Sequence, residues 1–178
     1  MNLVGKKIIL RELRESDMEL LNSLMNNKSV EDNVIGWSKP VTMQEQLNWF
    51  KNLNNDQNIR YAIADLNDNS VFGTGIISRI DWKNKNCSID IKLGDNYQSK
   101  GYGSETIRLL VEYAFDELNM NSINVKIISY NIASQKIFEK NGFKNSGMLR
   151  KHIYKNGEYN DVFIYDLLKE DFLNERNR

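Results

Sequence analysis

The sequence predicts a single mixed α/β domain, an α+β arrangement around one mixed sheet, and three observations predict it. Cys87-Ser-Ile-Asp-Ile-Lys-Leu93 alternates apolar and polar residues as a strand does. Directly after it Ile107, Leu110, Val111, Ala114, Phe115 and Leu118 recur at helical spacing. Residues 123–129 followed by 131–143 repeat that strand-then-helix pattern, and Asn156-Gly157 between two further strand-like runs is a type I′ hairpin signal.

Taken in order, residues 6–14 read as a first strand. Ser16-Asp-Met-Glu19 fits a capping box opening a helix to about Met25. Residues 26–41 read as a polar loop carrying Trp37 and Pro40. Thr42-Met-Gln-Glu45 repeats the capping signal, and Leu47, Phe50 and Leu53 support a second helix. Residues 60–65 and 71–81 read as antiparallel strands joined by Asn67-Asp-Asn-Ser70, and Lys83-Asn-Lys-Asn86 turns into the Cys87 strand. Asn131 is a suitable N-cap, Ala133 and Ile137 share a helix face, and Asn141-Gly142 stops that helix. Residues 143–154 and 159–168 flank the hairpin turn.

The 178 residues suit one domain, 1–178, able to bury a core. With 24 basic and 24 acidic residues and no basic run, nothing favours a nucleic-acid or anionic-membrane partner. One cysteine excludes an internal disulfide and fits a reducing compartment. No apolar run is long enough for a signal peptide or a membrane span, so a cytoplasmic location is expected. No His/Cys cluster suggests a metal.

The loop Gln98-Ser99-Lys100-Gly101-Tyr102-Gly103 carries the most functional information. It lies between the Cys87 strand and a helix start, and Ser104 continues it. A first helical turn leaves backbone N–H groups without partners and carries roughly half a positive charge. Glycines at 101 and 103 let an anion approach that backbone, which makes a pyrophosphate cradle. It is neither a P-loop, since Lys100 precedes both glycines, nor a dinucleotide fingerprint, since Thr106 stands where a third glycine belongs.

Together, Gln98-Ser-Lys-Gly-Tyr-Gly103 and Asn131…Ala133…Phe138-Glu-Lys-Asn-Gly-Phe143 resemble the two motif segments of the GNAT superfamily of acetyl-CoA-dependent N-acetyltransferases. The resemblance extends from Lys6 to about Leu168. It implies a mostly antiparallel central sheet, splayed between two parallel strands at 87–94 and 122–129 and flanked by about four helices. In that fold the gap holds the pantetheine arm of acetyl-CoA, and the acceptor amine enters from the opposite side. The residues implied for acetyl-CoA are Ile91 and Leu93 on the splayed strand, the loop 98–104, Asn131, Ser134 and Phe138. No metal is implied.

The acid–base positions depart from the family pattern. Many relatives carry a Glu where Ser88 stands and a proton-donating Tyr where Phe138 stands. Asp90, two residues from Ser88 and so on the same strand face, is the nearest candidate base. Its bland alternative is a carboxylate satisfied across the sheet. Ser134 and Tyr130 are the hydroxyls nearest the missing Tyr, and Ser134 matches a serine suggested for that role in the ribosomal-protein branch. A lysine-type amine near pKa 10.4 is neutral to only about one part in a few thousand at pH 7, a deficit of roughly 4–5 kcal/mol. An α-amino group near pKa 8 is about 10% neutral and needs less help.

On the acceptor side Glu31, Trp37 and Asp90 are candidate pocket residues, whereas Trp49 reads better as core. Cys87 reads as a small core residue and His152 as a surface strand residue. The expected partners are acetyl-CoA and a small-molecule amine, with a homodimer allowed by exposed edge strands. Residues 42–80 look similar to acetyltransferases of nucleotide-linked amino sugars, which puts an amino sugar first. Protein α-amines, polyamines and a catalytically silent acyl-CoA-binding protein are the alternatives.

Overall fold

The computed structural model describes residues 1–36 and 38–177. Among them one eight-stranded sheet runs in the order β1-β2-β3-β4-β5-β6-β8-β7. Its strands are β1 Leu3–Val4, β2 Ile8–Arg11, β3 Ile59–Asp65, β4 Val71–Asp81, β5 Asn86–Leu93, β6 Ser122–Ile128, β7 Lys144–Lys155 and β8 Glu158–Leu168. The helices are α1 Met18–Met25, α2 Lys28–Asn33, α3 Met43–Lys51, α4 Tyr102–Glu112, α5 Ile132–Lys140 and α6 Lys169–Arg176. The fold is the expected one, with two helices more than the four anticipated.

β1 to β5 form an antiparallel meander, and β6, β8 and β7 a second antiparallel group. The groups meet where β5 and β6 run parallel, and the two strands pair only at Asn86↔Ser122 and Cys87↔Ile123. Beyond that point β5 stays with β4 as far as Gly73↔Leu93, and β6 stays with β8 as far as Ile128↔Val162. Each strand keeps its outer neighbour, so the two diverge. Ser88 Oγ donates to the Asn124 carbonyl at the last point where the strands remain close.

The main core lies between the sheet and α4. Ile63, Ile77 and Ile89 from the strands meet Ile107 and Leu110 of α4 and Phe115 of the π-helical turn that follows it, all essentially inaccessible to water. Gly75 permits that contact, because a Cβ there would stand 3.1 Å from Leu110 and 3.2 Å from Thr106. A smaller cluster of Met18, Leu21, Leu24 and Val30, with Leu47 and Phe50, joins α1, α2 and α3 on the opposite face. Beside it Arg11 and Asp17 make a buried two-pronged ion pair at 2.9 Å per contact.

Ser16 does not cap α1. It lies in a 3-10 turn, Glu15–Asp17, where the Asp17 carboxylate accepts the Arg14 N–H at 2.8 Å. Thr42 and Glu45 form the expected reciprocal cap of α3. Asn156 (φ 52°) and Gly157 (φ 86°) take the positive φ values that a type I′ turn requires. No helix among the described residues is long and apolar enough to cross a membrane.

Candidate active site

The cradle is built from the start of α4. Gly101 is its N-cap at φ +89°, and no side chain caps the helix. The first α4 bond recorded there is Glu105 N–H to the Gly101 carbonyl at 3.1 Å, which leaves the N–H groups of Tyr102, Gly103 and Ser104 ahead of the first helical bond. A Cβ on Gly101 would meet nothing within 4 Å, so this residue faces open space. Gly103 is different: a Cβ there would lie 2.8 Å from Ile137 and 3.4 Å from Ile91 and Leu93. Its lack of a side chain lets α4 pack on α5 and β5, whereas Gly101 leaves open space beside its backbone.

Gln98, Ser99, Gly101 and Gly103 line one wall of a cavity of about 330 Å³, and Asn131, Ala133 and Ser134 line the other. Ile91 and Leu93 form its floor. Lys100 lies 5.9 Å over the Tyr97 ring, and Tyr102 packs on Phe72 and Tyr97. Ser104 Oγ accepts from Asn141 Nδ2 at 3.0 Å, which ties α4 to the end of α5. Arg108 pairs with Glu112 at 2.8 Å.

The cradle opens into the gap between β5 and β6, a cavity of about 270 Å³. Asp90, Asn131, Ser134 and Phe138 line it. Asn131 caps α5 by accepting the Ser134 N–H at 3.0 Å, and its Nδ2 donates to the Asn33 carbonyl at 3.2 Å. Phe138 is 4% exposed and packs edge-on against Phe143, with ring centroids 5.0 Å apart. Ser134 stands one turn before Phe138 on the same helix face, so its half-buried hydroxyl reaches the gap where the Phe138 ring carries none. Tyr130 lies outside this group. Its hydroxyl donates to the Asp32 carbonyl at 2.5 Å.

Asp90 is indeed satisfied across the sheet. It accepts from Ser78 Oγ at 2.6 Å and lies 3.6 Å from the Arg79 guanidinium. Arg79 sits at a β4 irregularity with φ 52°, and its Nη2 donates to Ser88 Oγ at 2.7 Å. The Asp90 side chain is still 46% exposed toward the gap. Ser88 is buried and engaged with both strands.

On the far face a third cavity, of about 430 Å³, lies between the sheet and α1 and α3. Apolar residues make most of its wall, including Leu21, Leu24, Pro40 and Ile76. Three cations also line it: Lys39, Arg60 and Lys92. Trp49 is half exposed here with Arg60 5.7 Å over its ring, so it lines a cavity and is not the core residue expected. Lys92 lines all three cavities. Burial pushes Lys92 below the ordinary lysine pKa; Asp90 pulls it back and Arg60 adds to the fall. Lys92 is not among the residues expected from the sequence, where its one signal is a lysine two residues beyond Asp90 on the same strand face.

Glu31 does not line these cavities. Its carboxylate binds Lys155, which is 4% exposed, together with Lys28 at 2.8 Å and Ser38 Oγ at 2.9 Å. Those bonds, Lys155 first, hold its pKa at about 2. Glu31, expected in the acceptor pocket, is thus paired with two lysines of the chain. Trp37 lies outside the described residues. Burial pushes the Cys87 thiol up to about 12, as suits a core residue. Among the described residues no group of three His, Cys, Asp or Glu side chains could hold a metal.

A splayed pair of parallel strands, with uncapped helix N–H groups at one mouth and a largely apolar cavity on the far face, has the arrangement expected of an acyl-CoA-dependent transferase. The acetyltransferase (GNAT) domain family matches residues 7–144. The chain belongs to that family and is an N-acetyltransferase of the GNAT type that uses acetyl-CoA. The uncharacterized N-acetyltransferase p20 of Bacillus licheniformis is 27% identical over 173 residues, 96% of this chain and 97% of the relative. The putative ribosomal N-acetyltransferase YdaF of Bacillus subtilis is 30% identical over 125 residues, 66% of this chain and 68% of the relative. The structure of spermidine N-acetyltransferase from Vibrio cholerae in complex with CoA and spermine is similar, with a TM-score of 0.86 at 22% identity. It covers 95% of this chain and 99% of that one. A dodecameric structure of the Vibrio enzyme gives a TM-score of 0.82 at 22% identity, over 96% of this chain and 99% of that one. At that identity the likeness is one of fold.

Proposed function

We propose that this chain moves the acetyl group of acetyl-CoA onto the primary amine of a small molecule by direct attack, with no covalent enzyme intermediate. The observation that carries the reading is that three neighbouring cavities share one lining residue. The cradle, the gap and the far cavity share Lys92, so a thioester reaching through the gap meets an amine arriving from the α1–α3 side. The residues fit acetyl-CoA: uncapped N–H groups beside Gly101 suit the pyrophosphate, and the apolar Ile91 and Leu93 suit the pantetheine arm.

The amine nitrogen adds to the thioester carbonyl, the carbon–sulfur bond breaks, and the thiolate takes up a proton. Asp90 is the proposed proton acceptor for the amine, directly or through a water, and Ser134 the proposed proton donor near the thiolate. Orientation alone can supply several kcal/mol of such a barrier. The spermidine acetyltransferase relative in Vibrio cholerae, 22% identical over 96% of this chain and 98% of its own length, favours a polyamine acceptor over an amino sugar. The dodecameric Vibrio structure widens the expected homodimer to an oligomer of unspecified size, which sedimentation would measure.

The test is thiol release from acetyl-CoA across a panel of spermidine, free and nucleotide-linked amino sugars, and peptides with free N-termini. Release with a small-molecule amine supports the reading. Binding of acetyl-CoA with no amine-dependent release would refute it.

A further inference from the structure

The far cavity is cationic, and its charges are fixed by the sheet. Arg60 of β3 stands opposite Ile76 of β4, which stands opposite Asp90 of β5; one step along, Ala62, Thr74 and Lys92 form the parallel row. Arg60, Thr74 and Lys92 therefore project from three adjacent strands onto the face beneath α1 and α3. All three line the cavity, and Thr74 is buried.

The opposing charge is small and committed. Glu45 is the only acidic residue among the lining residues described, and its carboxylate accepts from the Thr42 N–H and hydroxyl at 2.8 and 2.9 Å. Asp90 lines the gap, where Ser78 and Arg79 hold it, and its charge also acts on Lys92. Arg60 gives Nη1 to the carbonyls of Asn54 and Asn58, and among the described residues it makes no ion pair. With Lys39 at the rim, the lining carries three cations against one carboxylate.

Such a wall repels a polycation. It suits a molecule with an apolar body and an anionic group, since partly desolvated cations attract an opposite charge. We infer that the acceptor is a primary amine that also carries an acidic group, a carboxylate or a phosphate, which Arg60 and Lys92 bind with Thr74 while the amine reaches the gap. This rests on the transferase reading above and names its substrate class. It runs against the polyamine that the Vibrio relative suggests.

Acetyl transfer is measured with amine pairs that differ only in the anion. One pair is 6-aminohexanoate against 6-aminohexanamide, and the other 3-aminopropyl phosphate against 3-aminopropanol, with spermidine as the polycation. The expected result is a kcat/KM at least tenfold higher for one acid-bearing member than for its neutral twin, with spermidine below both. Which pair shows the gain separates carboxylate from phosphate. In R60Q and K92Q the acid-to-neutral ratio falls toward one, carried by KM. The wild-type ratio decides the matter even where a variant fails to fold. Faster transfer to spermidine or to the neutral twins overturns the inference and leaves the transferase reading standing. No transfer to any amine, with acetyl-CoA shown to bind by calorimetry, removes both.

Discussion

Replacing Gly101 by leucine separates the cradle from the fold. Gly101 lies at φ +89°, where a side chain is strained, and a residue other than glycine pays about 1–2 kcal/mol there. No atom stands within 4 Å of the new Cβ, so no clash adds to the strain. For a chain of this size 1 kcal/mol moves Tm by roughly 2–4 °C, so Gly101→Leu should lower Tm by about 2–8 °C and still fold. Its isobutyl group would project into the space above the uncapped N–H groups. Loss of pyrophosphate contacts there should weaken acetyl-CoA binding by about 100-fold or more, close to 3 kcal/mol. Gly101→Ala is the control, because it shares most of the strain and little of the bulk. Calorimetry with CoA and a thermal melt read both quantities. Unchanged affinity in the leucine variant would remove the cradle from the mechanism, and an equal loss in both variants would assign it to backbone strain.

Asp90→Asn should lower turnover more at pH 7 than at pH 9, since a base matters less as the neutral fraction of the amine rises; an equal loss at both would make Asp90 structural. Ser134→Ala should lower kcat by about 10–100-fold with little change in KM, if its hydroxyl protonates the thiolate. For Asp17, burial alone would raise the pKa, but the Arg11 side chain and the Arg14 N–H outweigh it and hold the carboxyl below its usual range. Its contribution is thus complete above the unfolded carboxylate pKa and is lost as pH falls through the depressed folded one. Asp17→Asn should cost about 3–5 kcal/mol at neutral pH by stranding buried Arg11, and its acid-side stability slope, read by urea titration, should be shallower than the wild type's. The Cys87 thiol, buried and pushed up to about 12, should react with a thiol reagent only at the rate of unfolding.

The strands were legible because period-two alternation and turn residues agree in this chain. The Cys87 run, the Asn156-Gly157 turn and the Thr42–Glu45 cap all stand where local chemistry places them. What escaped the sequence depends on distant partners. Helix α2, Lys-Ser-Val-Glu-Asp-Asn, has one apolar residue in six and no amphipathic stripe. It forms because Asn27 accepts the N–H groups of Ser29 and Val30, and because Glu31 reaches Lys155, 124 positions away. Helix α6 is as polar, and docks through Phe172 on Phe115 and through ion pairs to Lys144 and Asp116. Trp49 looked like core because its apolar mass is all a sequence displays. The cavity between α1, α3 and the sheet is a property of packing, and no single segment announces it.

Ser88 stands where the family pattern often has a glutamate, and its hydroxyl has two partners there. It is buried at the point where β5 and β6 part, and its hydroxyl links the Asn124 carbonyl to the Arg79 guanidinium. A carboxylate there would meet a backbone carbonyl where Ser88 now offers a donor. The next outward-facing positions on the same strand face, Asp90 and Lys92, are where charge reaches the gap. They act on an amine in opposite directions: Asp90 favours the ammonium ion and removes its proton, while Lys92 and Arg60 favour the neutral amine by repulsion. Each pKa unit by which the wall lowers the acceptor is worth 1.36 kcal/mol of the roughly 4–5 kcal/mol deficit at pH 7. A strong base then becomes less necessary, provided that binding an anion elsewhere on the same acceptor offsets the repulsion. Cationic walls, a weakly placed carboxylate and an acid-bearing amine are thus parts of one arrangement, and the acceptor pair assay tests it as a whole.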